Sequence, residues 1–159
     1  MARFDMEKVL DQYVSTLQDG LNTKINAINA EKNDGITLLE VNTANYFDSL
    51  DDRIANCNPF LYYGIAGVEL IEGNGDFGAD VECFFTIALE TQGHQAKIYK
   101  SMLRYIRALE ETFINKLNSF PGEMSRPTID SILPEDIRDQ EGQGFAKIAG
   151  VLIKTSIAT

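Results

Sequence analysis

Apolar residues recur at steps of three and four along the N-terminal part of the chain: Met6, Val9, Leu10, Tyr13, Val14, Leu17, Leu21, Ile25 and Ile28. That spacing predicts an amphipathic helix from Arg3 to about Ile28. Gly20 falls in its middle and weakens a helix by about 1 kcal/mol relative to Ala, so a bend or break is expected there. Lys32-Asn33-Asp34-Gly35 ends the pattern. Ile36–Val41 then reads as a short apolar strand. Thr43–Ala55 reads as a short helix, with Asn42 or Thr43 as its cap and Asp48, Asp51 and Asp52 on its polar side. Asn56-Cys57-Asn58-Pro59 breaks the chain before the next pattern begins.

The centre of the chain is a strand, a glycine-rich turn, a strand and one long helix. Phe60–Glu72 and Ala79–Glu90 are rich in β-branched and aromatic residues and are bounded by Gly, Asn and Asp. Gly73–Gly78 between them predicts a hairpin whose loop is longer than two residues. The helix, Gln95 to about Leu117, has the clearest periodicity. Ile98, Met102, Tyr105, Ile106, Leu109 and Phe113 fall on one side, and Lys97, Lys100, Arg104 and Arg107 on the other. The apolar side requires a sheet, which the hairpin supplies. Asn118–Arg126 is a loop, Thr128–Leu133 a short strand that ends before Pro134, and Glu135–Gly144 a polar segment of mobile character. Phe145–Ile157 is the last strand, and only the hairpin sheet is long enough to pair with it. The pattern predicts an α+β fold: a mostly antiparallel sheet with one long helix and an N-terminal helix packed against it.

Composition narrows the function classes. At 159 residues the chain makes one domain, 1–159, with a substantial core. Fourteen Lys and Arg against 24 Asp and Glu leave a net charge of −10, which disfavours generic binding to a phosphate backbone. Cys57 and Cys83 lack a CxxC spacing and share the chain with a single histidine, too few ligands for a zinc site. Cys83 is expected to be a buried thiol within a strand. The N-terminus has acids where a secretory signal needs an apolar run, and no run approaches a membrane span. These features place the chain in a reducing cytoplasm or in a particle assembled there.

Each chemical motif meets a plainer reading. Gly73, Gly75 and Gly78 form a literal G-x-G-x-x-G, but a dinucleotide site needs a helix after the turn and a strand follows here. Asn74, Asp76 and Asp80 alternate as calcium ligands do, yet Phe85 stands where an EF-hand places its glutamate. No cofactor or metal is therefore expected. His94 opens the long helix with Glu90 near in sequence and no evident nucleophile, and Glu82 and Glu90 lack the nearby lysine of a nuclease strand. The basic stripe Lys97, Lys100, Arg104, Arg107 has three readings, of which contact with DNA is the least favoured. It is a solvated helix face, or it meets an acidic patch such as Asp48, Asp51 and Asp52 on another copy, a heterologous contact that closes a ring when repeated.

The layout resembles the tail terminator proteins of long-tailed bacteriophages, also called tail completion or head-to-tail joining proteins. The resemblance lies in the N-terminal amphipathic helix, the segment Asn58-Pro59-Phe60-Leu61-Tyr62-Tyr63-Gly64 leading a hairpin, the phrase Ile98-Tyr99-Lys100-Ser101-Met102-Leu103-Arg104-Tyr105-Ile106 opening a long helix, and the closing apolar strand. It spans most of the chain and is one of pattern, not of a diagnostic motif. It implies a non-enzymatic virion protein of the tail or neck, assembled in the host cytoplasm into a homo-oligomeric ring, expected to be a hexamer. Such a ring caps the tail tube, ends its polymerisation and docks the head–tail connector protein, with DNA passing through the channel. Gly73, Asn74, Gly75, Asp76 and Phe77 would then form a loop facing the tube or channel. The alternatives are a connector stopper or adaptor of the same neck, and a small enzyme using the Gly73–Gly78 loop and His94.

Overall fold

The computed structural model describes residues 5–48, 59–73, 76–90, 97–116, 127–138 and 144–158. Helix α1 runs from Met6 to Lys32 without interruption. Asp5 caps its N-terminus by accepting the Lys8 N–H at 2.9 Å. Asn33, in the left-handed region at φ 36°, ends it. The break expected at Gly20 does not occur, and the helix continues four residues beyond Ile28. A Cβ at Gly20 would lie 3.3 Å from Thr112 Cγ2 of the second helix, so the missing side chain serves the close approach of two helices.

Ile36–Val41 is not a strand. It is an extended strap whose backbone pairs with asparagine side chains of α1. Asn29 Nδ2 donates to the Leu38 carbonyl at 2.9 Å, and the Leu38 N–H donates back to Asn29 Oδ1 at 2.8 Å. Asn22 forms the same pair of bonds with Val41, at 3.0 and 2.9 Å. Leu38 and Val41 are thereby pinned into the core. The helix expected over Thr43–Ala55 is also corrected. Over its described part, 43–48, a 3-10 turn, Thr43–Asn45, forms, capped by Asn42, and strand β1, Tyr46–Phe47, follows at once; 49–55 lie outside the described residues. Tyr and Phe favour extended backbone in a sheet, and Phe47 there meets the Phe60 ring at a centroid distance of 6.0 Å.

Strands β2 (Phe60–Gly73) and β3 (Asp76–Glu90) form the expected hairpin. Their pairing reaches Gly73 opposite Asp76, so the connection is shorter than predicted and leaves only 74 and 75 between paired ends. Helix α2 spans Ile98–Ile114. Strand β4 (Thr128–Arg138) passes Pro134 instead of ending before it, and β5 (Gly144–Ala158) closes the chain. The ladder between β4 and β5 shifts register between Ile132 and Glu135. A proline is tolerated there because β4 is an edge strand, where a missing N–H breaks no second ladder.

The sheet order is β1-β2-β3-β5-β4, with β1–β2 parallel and the other pairs antiparallel. The fold is α+β. Both helices lie on one face, with α2 over β5 and β4 and packed beside α1. Tyr13, Phe85 and Phe113 form the centre of the core, with ring centroids 5.3–6.0 Å apart and Tyr13 edge-on to both partners. The Tyr13 hydroxyl shares a hydrogen bond with Thr155 Oγ1. Burial pushes that hydroxyl up to about 12. Cys83 is fully buried in β3, and burial pushes its thiol up to about 12 as well, leaving it a small hydrophobe. Among the described residues no helix is long and apolar enough to cross a membrane.

Candidate functional site

The four cations of the α2 stripe do not share one environment. Arg104 is buried, at 9% exposure. Its guanidinium grips both carboxylate oxygens of Asp34 and donates to the Ile36 carbonyl at 3.1 Å. Helical periodicity places residue 104 opposite the apolar side, but the turn after α1 folds over it. Arg107 is also engaged: two bonds to Glu31, at 3.0 and 2.7 Å, and one from Nε to Glu111 at 2.7 Å. These contacts tie α2 to the C-terminal end of α1. The Arg104 hydrogen bonds hold the Asp34 carboxyl down at about 2, and Arg107 lowers Glu31. Both guanidiniums are shifted upward by the same bonds.

Lys97 and Lys100 remain exposed, with no ion-pair partner among the described residues. Beside Lys100 on the open side of α2 stand Tyr99, 50% exposed, and Leu103, 39% exposed. Glu110, further along, accepts from Ser131 of β4, so this side of α2 looks toward the β4 edge. Leu133 of β4 is 65% exposed there.

The second exposed feature is the distal half of β2. From Tyr63 onward β2 pairs only with β3 among the described residues. Ile65, Val68, Leu70 and Ile71 are all exposed, Leu70 by 73%. Residues opposite one another in a ladder share a face. Ile65, Val68 and Leu70 oppose Cys83, Val81 and Ala79, so they lie on the helix side, beyond the cover of α1. Glu72 follows on that side, opposite Phe77. Asp48, exposed at the end of β1, and Asp11 of α1 both lie close enough to raise the Tyr63 hydroxyl, after the larger effect of its burial. An open hollow of about 470 Å³ along the first turns of α1 is lined by Asp5, Glu7, Lys8, Asp11, Gln12 and Ser15. This edge of the molecule is apolar with an acidic margin.

The remaining sequence candidates are placed as follows. Asp51, Asp52, Asn74, Gly75 and His94 lie outside the described residues. Gly73 and Asp76 are the paired ends of β2 and β3, and Phe77 and Gly78 belong to β3, so the glycine motif spans a hairpin. Asp80 pairs with Lys154 at 3.5 Å and accepts from Ser156. No group of three His, Cys, Asp or Glu among the described residues is placed to hold a metal ion. Sequence reasoning missed the exposed rows. Ile65–Ile71 is apolar at most positions, the pattern of a strand covered on both faces, and only the strand order reveals it as an edge.

Compared with known proteins, the chain matches no family model and no curated protein.

Proposed function

We propose that the chain is a structural assembly protein of a long-tailed phage particle, a tail terminator that self-associates into a ring, caps the tail tube and offers a docking surface to the head–tail connector. In this reading it has no catalytic activity and belongs to the tail or neck of the virion. The observation that carries it is the distal half of β2. Four large apolar side chains stand exposed on this part of β2, and contiguous exposed apolar rows mark surfaces where a partner binds. The assignment to a tail rests on the resemblance of layout and local phrases, and the net charge of −10 suits a channel through which DNA slides without sticking.

The test adds the purified protein to tail tube protein of the same particle while the tube polymerises. Capped tubes of arrested length, with the protein at one end in electron micrographs, are expected. Tubes that elongate at an unchanged rate, with no protein at their ends, would contradict the assignment.

A further inference from the structure

We infer that the face between α1 and α2 is a binding groove for an extended peptide segment, that residues 36–41 fill it as a removable strap, and that the same segment of a second copy can take their place. This groove lies apart from the β2 row and is independent of the tail assignment. The strap is held by side chains. Asn29 pairs with both main-chain groups of Leu38, and Asn22 with both of Val41. Tyr105 donates its hydroxyl to the Leu39 carbonyl at 2.8 Å, and Arg104 donates to the Ile36 carbonyl at 3.1 Å. Among the described residues none of these strap groups bonds to main chain.

The spacing is that of a peptide site. Seven residues of helix rise about 10.5 Å and three residues of extended chain about 10 Å, so amides at 22 and 29 meet every third residue of an extended segment. Asn22 holds Val41 and Asn29 holds Leu38, so the segment runs antiparallel to α1. A carboxamide pairs with N–H and C=O whatever the side chain, so these bonds supply affinity. Selection comes from the apolar burial of Leu38 and Val41, whereas Leu39 between them is 55% exposed.

The segment known to satisfy the groove is the chain's own, and every copy carries both groove and segment. Exchange of an identical element between copies is a low-cost step. The strap leaves α1 through a turn with Asn33 and Gly35 at φ 36° and 84°, and the grip of Arg104 on Asp34 holds that turn. Opening there breaks no ladder. The Tyr13–Phe113 ring contact and the Arg107 bonds to Glu31 keep α1 and α2 together.

The test uses the whole chain and a fluorescent synthetic peptide of residues 34–42, blocked at both ends. In the wild type the tethered strap competes at an effective concentration of about millimolar, so weak peptide binding is expected. Leu38→Asp sets a carboxylate in the apolar groove and drives the strap out. With its folding checked by circular dichroism, this variant is expected to bind the peptide at least about tenfold more tightly by anisotropy. Adding Asn22→Ala and Asn29→Ala should weaken that binding at least about tenfold. A folded Leu38→Asp chain that binds no better than wild type, or binds a scrambled peptide equally, would overturn the groove. Exchange between copies is read by capture, with every chain carrying Leu70→Glu so that the β2 row takes no part. Tagged Leu38→Asp is expected to retain an untagged Asn22→Ala, Asn29→Ala chain, whose strap is free, and not that chain with Leu38→Asp added. Equal retention of the two would overturn the exchange. Wild-type amide hydrogen exchange needs no strap variant. Leu38 and Val41 are expected to exchange at least about 100-fold faster than Cys83 and Phe85, whose strand is paired on both sides. Exchange as slow as in β3 would mean a strap that leaves only on global unfolding, and would overturn its replacement.

Discussion

Asn22 and Asn29 each offer an amide that donates and accepts like a peptide unit, and each is spent on one residue of the strap. The apolar run Ile36–Val41 reads as a strand because its composition is that of a strand. Its partners are side chains on α1, at distances along the chain that no local pattern encodes. Asn29→Ala removes both bonds at Leu38 and leaves a buried residue's backbone groups without partners, for an expected loss of about 2 kcal/mol in urea unfolding. Asn26→Ala, which loses only the exposed contact to Glu40, is expected to change stability by less than about 0.5 kcal/mol. Arg104 was misplaced by the same kind of blindness. Periodicity sets it opposite the core, and only the fold reveals that Asp34 and the Ile36 carbonyl close over it.

The elements themselves were largely legible. The α1 periodicity, the hairpin, the α2 core side and the last strand all follow from spacing, and the observed cores of α1 and α2 contain most of the residues that the spacing names. What failed was whatever depended on a neighbour. Gly20 reads as a weakness, but α2 comes close to it. Pro134 reads as a strand end, but its strand lies at an edge. Gly150 gave no signal at all. A Cβ there would overlap the Phe85 carbonyl oxygen and come within 2.7 Å of Thr86 Cα on β3. Backbone cannot yield as a flexible side chain can, so Gly150→Ala is expected to cost about 3 kcal/mol. Gly67→Ala, with nothing within 4 Å of the added Cβ, should shift stability by less than about 0.5 kcal/mol, both read by thermal or urea unfolding. The clamp between α1 and α2 adds a pH dependence. Arg104 lowers the Asp34 pKa from the ordinary 3.8 to about 2. The stabilisation is thus fully present above the ordinary value and is lost as pH falls through about 2. Comparing wild type with Asp34→Asn, the stability gap should narrow across that window, and added salt should narrow it at neutral pH because Asp34 is 40% exposed.

At the scale of the whole molecule, the sheet has two unlike sides. The β2 side is apolar with acids, and the α2–β4 side is apolar with Lys100 beside it and Glu110 on it. The basic stripe read from the sequence survives only as Lys97 and Lys100, since Arg104 and Arg107 are engaged within the chain. The surface proposed for self-association accordingly moves from Asp48, Asp51 and Asp52 to the β2 row, beside Asp11, Asp48 and Glu72. Strand order, unavailable to a linear reading, creates this polarity. The most direct measurement is the absolute mass of the wild-type chain in solution by light scattering. The account predicts an assembly that falls apart to single chains on Leu70→Glu, with the resemblance to tail terminators implying about six copies of 17.7 kDa. A mass of 17.7 kDa at every concentration would contradict it.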